Sequence, residues 1–316
     1  MIFIEEALTT WVLDEYPYSA ITKETLALQI YIFYKTKVYK NERISQIRKP
    51  KAGNGDFENN ISKLLRSGVL TRIEESDYMY NHPYLRGGFY DVFTIKGKRE
   101  YSNQEIICST YPYGYLSYIS AMEWHGITDK IPNIIRFTTC PSSVWKEKSL
   151  ASLKKEDIED VDKDKFIPRF PRTTKIQGME VLVSQETSFT PPLKARESPV
   201  KVSNIGKTFI DMLRKPEYCG GDEHVLEVYL EHGEKYAGLI IKNLEKFGRA
   251  IDIARAGFIL DKMLGVKDER LDFWKKESSK TRGGSKVLSK NKPFSEVFDQ
   301  DWSLSLNIEM ASKYGK

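Results

Sequence analysis

The spacing of apolar residues is most regular between residues 52 and 73, where a helical period gives way to a strand. One side of the predicted helix carries four apolar side chains: Phe57, Ile61, Leu64 and Leu65. Asp56 is placed to cap the first turn, and Gly68 to end the helix. Residues 69–73 continue as a strand, and a second strand at 89–95 follows a turn at residues 86–88. This stretch therefore predicts a helix followed by a β-hairpin.

Three further helical patterns precede this stretch. Residues 3–14 predict a first helix, and residues 23–34 predict a second one that Thr22 can cap. Residues 42–48 predict a short helix that Pro50 ends, and residues 53–55 predict a turn. Helix, turn, helix and hairpin together indicate a winged helix-turn-helix domain. In that motif the second helix enters the major groove of DNA.

Positive charge is concentrated in the same region. Residues 35–72 hold ten Lys or Arg and three acids, a net charge of +7, whereas the whole chain carries +5. A cluster of this kind is typical of proteins that bind the phosphate backbone, although a charged outer face is more often only a solvated surface. The predicted DNA contacts are Arg48, Lys49, Lys51, Asn59, Lys63 and Arg66, with Arg86 in the wing. Because Asn59 lies nearer the helix start, it is the best candidate for reading a base.

Length and composition indicate two domains. The chain has 316 residues, of which 40% are hydrophobic and 29% charged, as in soluble globular proteins. No run of 18 apolar residues is present, and residues near the start are acidic, so neither a membrane helix nor a signal peptide is expected. Three widely spaced cysteines are typical of a reducing cytoplasm. We expect an α+β protein with a winged helix-turn-helix domain at 1–98 and a larger mixed α/β domain at 101–316.

The second half contains two unusual segments. Residues 145–165 alternate acids and lysines, which predicts an exposed charged excursion. Residues 262–292 hold ten Lys or Arg against four acids around Gly283-Gly284-Ser285, which predicts a mobile basic segment. Residues 302–308 are apolar again and predict a strand that brings the chain end back onto the second domain.

No pattern of catalytic residues was found. Gly206-Lys207-Thr208 matches the end of a phosphate-binding loop, but Lys201 occupies the position where that loop needs another glycine. Asp/Glu-x-Lys triplets, typical of restriction-type nucleases, do not occur, and the four histidines are scattered. The acids next to His125 and His224 lack the spacing of a zinc site. We therefore expect no enzyme activity, no metal and no cofactor.

Two blocks in the second half carry a family resemblance. Residues 202–221 contain a Thr-hydrophobic-hydrophobic-Asp helix from Thr208 to Asp211, a stop at Pro216 and a Gly220-Gly221 turn. Residues 120–126 read Ser-Ala-Met-Glu-Trp-His-Gly. Together with the ending at 302–307, these blocks resemble the AbiEi-type antitoxins. The resemblance implies a type IV antitoxin that represses its own operon and counteracts a nucleotidyltransferase-like toxin without a stable toxin complex.

Six residues of the longer block become candidates for antitoxin function through this resemblance: Thr208, Asp211, Arg214, Lys215, Gly220 and Gly221. Arg214 and Lys215 are the predicted exposed contacts. A purely structural role, a capped helix and a tight turn with positive φ, would explain the same residues. The expected partners are promoter DNA and the toxin, and no membrane. Two alternatives stay open: a regulator whose second domain senses a ligand, and a DNA-targeted nuclease.

Overall fold

The computed structural model describes residues 1–73, 91–99, 101–156, 158, 160–187, 192–280 and 286–315. Two compact units emerge from the contacts within the chain. The first unit comprises Met1–Leu116, Asn133–Thr190 and Lys194–Lys201, and the second comprises Ser117–Pro132, Pro191–Leu193 and Val202–Lys316. The mixture of helices and strands confirms the α+β class. The functional division near residue 98 stays a prediction.

Three helices build the start of the first unit. Helix α1 (Ile4–Thr10) continues through a wider turn at Trp11–Glu15, and α2 spans Lys23–Thr36. Thr22 caps α2 by accepting a hydrogen bond from the Thr25 amide, as predicted. Helix α3 spans Asn54–Arg66. Their apolar sides share one core with Ile21, Phe93 and Ile95.

The start of α3 differs from the prediction in one detail. Gly53, not Asp56, precedes the first helical residue. Asp56 lies in the first turn, where its carboxylate accepts a 2.9 Å hydrogen bond from the Gly53 amide. Its role is still to satisfy an unpaired amide at the helix start.

A three-stranded antiparallel sheet follows α3. Strand β2 (Ala20–Thr22) precedes α2, while β5 (Leu70–Arg72) and β6 (Val92–Ile95) come after α3. The strand order is β2-β6-β5. The strand predicted after Gly68 is confirmed, and so is the second strand over its described part. The predicted turn at 86–88 and Arg86 lie outside the described residues.

The helix predicted at residues 42–48 is wrong. The chain forms strands β3 (Val38–Tyr39) and β4 (Glu42–Ser45) instead, which pair as an antiparallel hairpin around Lys40 and Asn41. Strand β4 also pairs in parallel with β1 (Ile2–Phe3) at the chain start. Ile44 is the one buried apolar residue of residues 42–48. One such residue fits a strand whose side chains alternate between two faces as well as it fits a short helix, so the pattern could not distinguish them.

The second sheet of the first unit has six strands in the order β11-β12-β7-β8-β10-β9. Their bounds are β7 Gly114–Leu116, β8 Ile134–Thr139, β9 Thr174–Ile176, β10 Met179–Gln185, β11 Leu193–Lys194 and β12 Lys201–Val202. Strands β8 and β10 are parallel, whereas β7 and β9 run antiparallel to their neighbours. Helix α4 (Asn103–Thr110) leads into β7 through a turn.

The expectation of an exposed excursion at residues 145–165 is also wrong. The segment contains helix α6 (Ser142–Leu153) and 3₁₀ turns at Lys154–Glu156 and Asp160–Phe166. Trp145 is 2% exposed. Phe166 lies in the core of the first unit, with its ring centroid 5.2 Å from that of Tyr31. The few apolar residues among the charges therefore dictate where this segment packs.

The second unit is mainly helical. Helix α5 spans Tyr118–Trp124, α7 Ile205–Arg214, α8 Asp222–Phe247, α9 Ala250–Phe258 and α10 Glu269–Ser279, with a wider turn at Ile259–Met263 after α9. Strands β13 (Phe298–Asp299) and β14 (Leu304–Ser305) and helix α11 (Glu309–Ser312) end the chain. The predicted strand at 302–308 is thus partly confirmed. None of the described helices has the length and hydrophobicity needed to cross a membrane.

The described part of the basic segment is folded, and Gly283-Gly284-Ser285 lie outside the described residues. It contains α10 and several ion pairs, among them Lys275 with Asp261 at 2.9 Å and Lys290 with Glu217 at 2.8 Å. Each of these pairs joins residues that are far apart in the chain. The sequence pattern showed only the excess of positive charge and not the acids that meet it.

Two glycines in the second unit provide a matched test of its packing. A Cβ at Gly206 would lie 2.3 Å from the Leu239 carbonyl oxygen, because α7 and α8 approach closely there. A Cβ at Gly238 would meet nothing within 4 Å. We expect Gly206→Ala to lower the free energy of unfolding by about 1–3 kcal/mol. We expect Gly238→Ala to raise it by about 1 kcal/mol, since alanine favours a helix. Urea denaturation measures both, and equal effects of the two substitutions would contradict this packing.

Candidate functional site

The exposed face of α3 follows from the burial of its opposite face. Phe57, Ile61 and Leu64 are at most 5% exposed and pack in the core of the first unit. Because side chains repeat every 3.6 residues, this burial turns Asn59 and Arg66 to solvent. The structure thus places two of the predicted DNA contacts on one open helix face.

Lys63 on the same helix is less free than predicted. Its ammonium lies 3.7 Å from the Glu5 carboxylate, and 37% of its side chain is exposed. Arg66 donates from Nε to the Ser62 carbonyl at 3.4 Å, which leaves most of its guanidinium donors facing solvent. Among the described residues, Asn59 has no side-chain hydrogen-bond partner. The helix therefore presents one amide, one open guanidinium and one partly neutralised ammonium.

The loop before α3 carries the next predicted contacts. Arg48, Lys49 and Lys51 are all exposed. The Lys49 ammonium lies 2.9 Å from the carboxylate of Asp56. Burial alone would raise the pKa of Asp56, but hydrogen bonds from the Gly53 amide and Lys49 hold that pKa below its usual value. Lys49 thus serves the helix start as well as contributing charge.

The two blocks that carry the family resemblance meet in the second unit. His125 Nε2 lies 2.7 Å from the Ser203 carbonyl oxygen, which can only accept, so this nitrogen carries the proton. Burial lowers the pKa of His125 and keeps the ring neutral. The rings of Tyr118 and Tyr218 stack edge to face with centroids 5.2 Å apart. Gly126 follows the end of α5 and has φ of +62°, a conformation that favours glycine after a helix.

A buried ion network explains Thr208, Asp211 and Arg214. Lys207 and Asp211, 4% and 1% exposed, form an ion pair at 2.6 Å. Thr208 is completely buried and donates to the Asn204 carbonyl at 3.0 Å. Arg214 continues the network to Asp252 at 2.8 Å. The prediction that Arg214 is an exposed contact is therefore wrong, because its donors are used inside the unit.

Asp252 is the centre of this network. Arg214 and Arg249 both donate to its carboxylate, at 2.8 and 3.0 Å. Burial alone would raise the pKa of Asp252, but these hydrogen bonds hold it below the usual value. These partners leave no pattern in the sequence, since Asp252 lies 38 residues after Arg214. The i,i+4 spacing of Lys207 and Asp211 is the one sequence signal of this network.

Lys215 and the two glycines complete the block. The half-buried Lys215 ammonium lies 4.8 Å from the centroid of the Tyr218 ring and 5.6 Å from that of Tyr118, which are cation–π distances. Gly220 and Gly221 have φ values of +90° and +100°, which confirms the predicted turn that favours glycine. The block is therefore mainly a structural element, and among its six candidate residues Lys215 is the half-buried charge that forms no ion pair with a described residue.

The described residues contain no group of three or more His, Cys, Asp or Glu side chains that could hold a metal ion. The three cysteines are buried and form no disulfide, and burial raises the pKa of the Cys108 thiol to about 11. A thiol of that kind is not a nucleophile at neutral pH.

Comparison with known proteins gives one useful result. No family model matches the chain, and no curated protein matches it. The chain is similar to the crystal structure of the RV2827C protein from Mycobacterium tuberculosis, with a TM-score of 0.51 and 13% sequence identity. The match covers 97% of this chain and 92% of that chain. At this level of identity the comparison shows a shared fold alone.

The buried pair predicts opposite results for single and double substitutions. Lys207→Met removes the nearer cation and leaves the buried Asp211 carboxylate with Arg214 at 3.9 Å, so we expect a loss of about 3 kcal/mol in the free energy of unfolding. Lys207→Met/Asp211→Leu removes both charges and should recover most of that loss. Thermal and urea unfolding measure both variants. If the double variant is as unstable as the single one, the two residues have a role other than pairing with each other.

Proposed function

We propose that the protein is a DNA-binding transcriptional regulator that binds its own promoter as an autorepressor. The open face of α3, with Asn59 and Arg66 turned to solvent, is the observation that carries this proposal. Support comes from the order of elements β2, α2, α3, β5 and β6 and from the strand order β2-β6-β5. A winged helix-turn-helix uses this order, and α3 would be the helix that enters the major groove.

The charge around α3 suits the phosphate backbone. Arg66 on the helix and Arg48 before it are exposed and form no ion pair with a described residue, while Lys49 and Lys63 have carboxylate partners. Cations outside ion pairs release counterions from DNA at the lowest cost, because no ion pair has to break first. Arg48 and Arg66 are therefore the main phosphate contacts in this proposal, and Asn59 is the residue placed to read a base.

We further propose that this regulator is the antitoxin of a type IV toxin–antitoxin system and acts in the cytoplasm against a nucleotidyltransferase-like toxin. The resemblance of residues 120–126 and 202–221 to AbiEi-type antitoxins supports this proposal. The contacts between those blocks, such as His125 with Ser203, are consistent with a shared fold. Since Thr208, Asp211, Gly220 and Gly221 serve the fold, Lys215 is the one remaining candidate contact in the block.

A ligand-responsive regulator is the second candidate. The first unit has a groove of about 470 Å³, a size that suits a small molecule. Pro17, Tyr18, Lys194, Glu197, Ser198 and Lys201 are among its lining residues. A small molecule that changes promoter affinity in the purified protein would favour this candidate over the antitoxin.

The salt dependence of promoter binding tests the DNA proposal. We expect Lys63→Ala/Arg66→Ala to reduce the slope of log affinity against log salt by about 1, since Arg66 is the main phosphate contact on α3 and Lys63 is paired with Glu5. Asn59→Ala should lower affinity for the preferred sequence by about 1–3 kcal/mol and leave the slope unchanged. Lys242→Ala/Lys246→Ala, which removes two exposed lysines of α8, is the matched control. An unchanged slope in the first variant would remove α3 from the interface.

Growth rescue separates the two activities. Residues 1–98 share a core with Leu153, Ile158 and Phe166, so substitutions in the full chain are preferable to a truncation. We expect Asn59→Ala/Arg66→Ala, expressed from an independent promoter, to lose repression and still protect cells from the toxin encoded by the neighbouring gene. Loss of protection by this folded variant would mean that neutralisation acts through DNA binding.

A further inference from the structure

The connection between α2 and α3 is unusually long for a helix-turn-helix. Such motifs join their two helices by a turn of about 3–4 residues. Here 17 residues, 37–53, separate the end of α2 from the start of α3, and they include the hairpin β3–β4. We call residues 37–53 the inserted segment. It replaces the short turn that joins the two helices in a helix-turn-helix motif.

The hairpin is held firmly on the first unit. Tyr39 is 8% exposed, donates its hydroxyl to Glu15 at 2.6 Å and packs its ring 5.2 Å from that of Phe33. Ile44 is 2% exposed and lies in the core. Strand β4 pairs with β1 on its other side. The hairpin is therefore a fixed platform and not a loose loop.

Four non-glycine residues of the inserted segment have a left-handed backbone conformation. Lys37, Lys40, Asn41 and Gln46 have φ values of +55°, +47°, +66° and +66°. They are four of the eight non-glycine residues with positive φ in the described chain. A left-handed conformation costs roughly 1–2 kcal/mol per residue relative to the ordinary one, and glycine would avoid that cost. Strain of this kind is found at functional sites, and two of the four residues here are lysines.

The charge of the inserted segment is one-sided. It contains one acid, Glu42, and six basic residues: Lys37, Lys40, Arg43, Arg48, Lys49 and Lys51. Glu42 is paired with the amino terminus at 2.9 Å, so it does not neutralise the lysines and arginines. Within the described part of the chain, Lys37, Arg43 and Arg48 form no ion pair. A partner that meets this surface must supply several negative charges.

The outer face of the hairpin is continuous with the basic end of α3. Arg43 lies opposite Val38, which is 47% exposed, and Ser45 lies beside Phe3, which is 56% exposed. Neighbouring strands lie about 4.8 Å apart, and two residues on the same face of one strand, such as Arg43 and Ser45, lie about 7 Å apart. Glu5, two residues after Phe3, lies 3.7 Å from the Lys63 ammonium. A short path of surface residues thus joins Arg43 to α3.

We propose that the inserted segment is a second DNA-binding element, which contacts the sugar-phosphate backbone of the duplex whose groove α3 enters. Lys37 and Arg43, at the hairpin, would contact phosphates in addition to the predicted contacts of the loop before α3. The inference rests on the proposed DNA-binding function. A duplex fits this surface because its phosphates form a regular row of negative charges. That row matches Lys37, Arg43 and Arg48, which form no ion pair with any described residue. The exposed Phe3 and Val38 would contact the sugars.

The test is a salt titration of promoter binding with the full chain. We expect Lys37→Ala/Arg43→Ala to weaken binding on the order of tenfold at 0.15 M salt and to reduce the salt slope by about 2. Arg43→Lys, alone, should retain the slope because the charge is kept. Lys242→Ala/Lys246→Ala is the control, and circular dichroism checks the folding of every variant. Hydroxyl-radical footprints should lose protection at the flank of the site and keep the central protection that α3 provides.

The outcomes separate this inference from the proposed function. If the wild-type chain does not bind duplex DNA, both the proposed DNA-binding function and the inference about the inserted segment are wrong. If it binds and the folded Lys37→Ala/Arg43→Ala variant keeps the wild-type slope and footprint, the inserted segment is not part of the interface, and this face is left for an acidic protein partner.

Discussion

The burial of one side of α3 is the constraint on which the account depends. Phe57, Ile61 and Leu64 fill the core of the first unit, and Phe57 meets the ring of Phe166 at 5.9 Å. Once these side chains are inside, the helical period leaves no choice about which side chains face solvent. The open face of the helix is thus a consequence of hydrophobic packing, and the charges on it take their positions from the core.

The same first unit shows how a charged segment can be essential to a core. Residues 160–166 look like surface in the sequence, yet Phe166 packs between Tyr31 and Phe57, one from α2 and one from α3. Burying an aromatic side chain contributes several times the free energy that a surface ion pair does. One aromatic residue therefore outweighs its charged neighbours in deciding where the segment lies, and it links α2 and α3 to a part of the chain that is more than 100 residues away.

Local patterns predicted the regular elements of this protein and missed its long-range pairings. The helices around Leu26, Phe57 and Phe209 and the positive φ at Gly220 and Gly221 follow from spacing or from glycine itself. The β3–β4 hairpin was missed because its two-residue turn holds Lys40 and Asn41, where a glycine is the usual signal. The Arg214–Asp252 pair was missed since ion pairs between distant residues leave no periodic trace. For the candidate site, the polar face of α3 was predictable, but the partners that reduce the freedom of Lys49 and Lys63 were not.

Tethered cleavage of promoter DNA from position 59 tests the central claim most directly. Cys108, Cys140 and Cys219 are buried, so an iron–EDTA reagent can be attached selectively to an Asn59→Cys variant. If α3 enters the major groove, cleavage should fall on both strands within a few base pairs of one position in each bound site, with the stagger typical of the major groove. Cleavage spread evenly along the duplex, or none at all under conditions where the labelled protein binds, would contradict the placement of α3 in the interface.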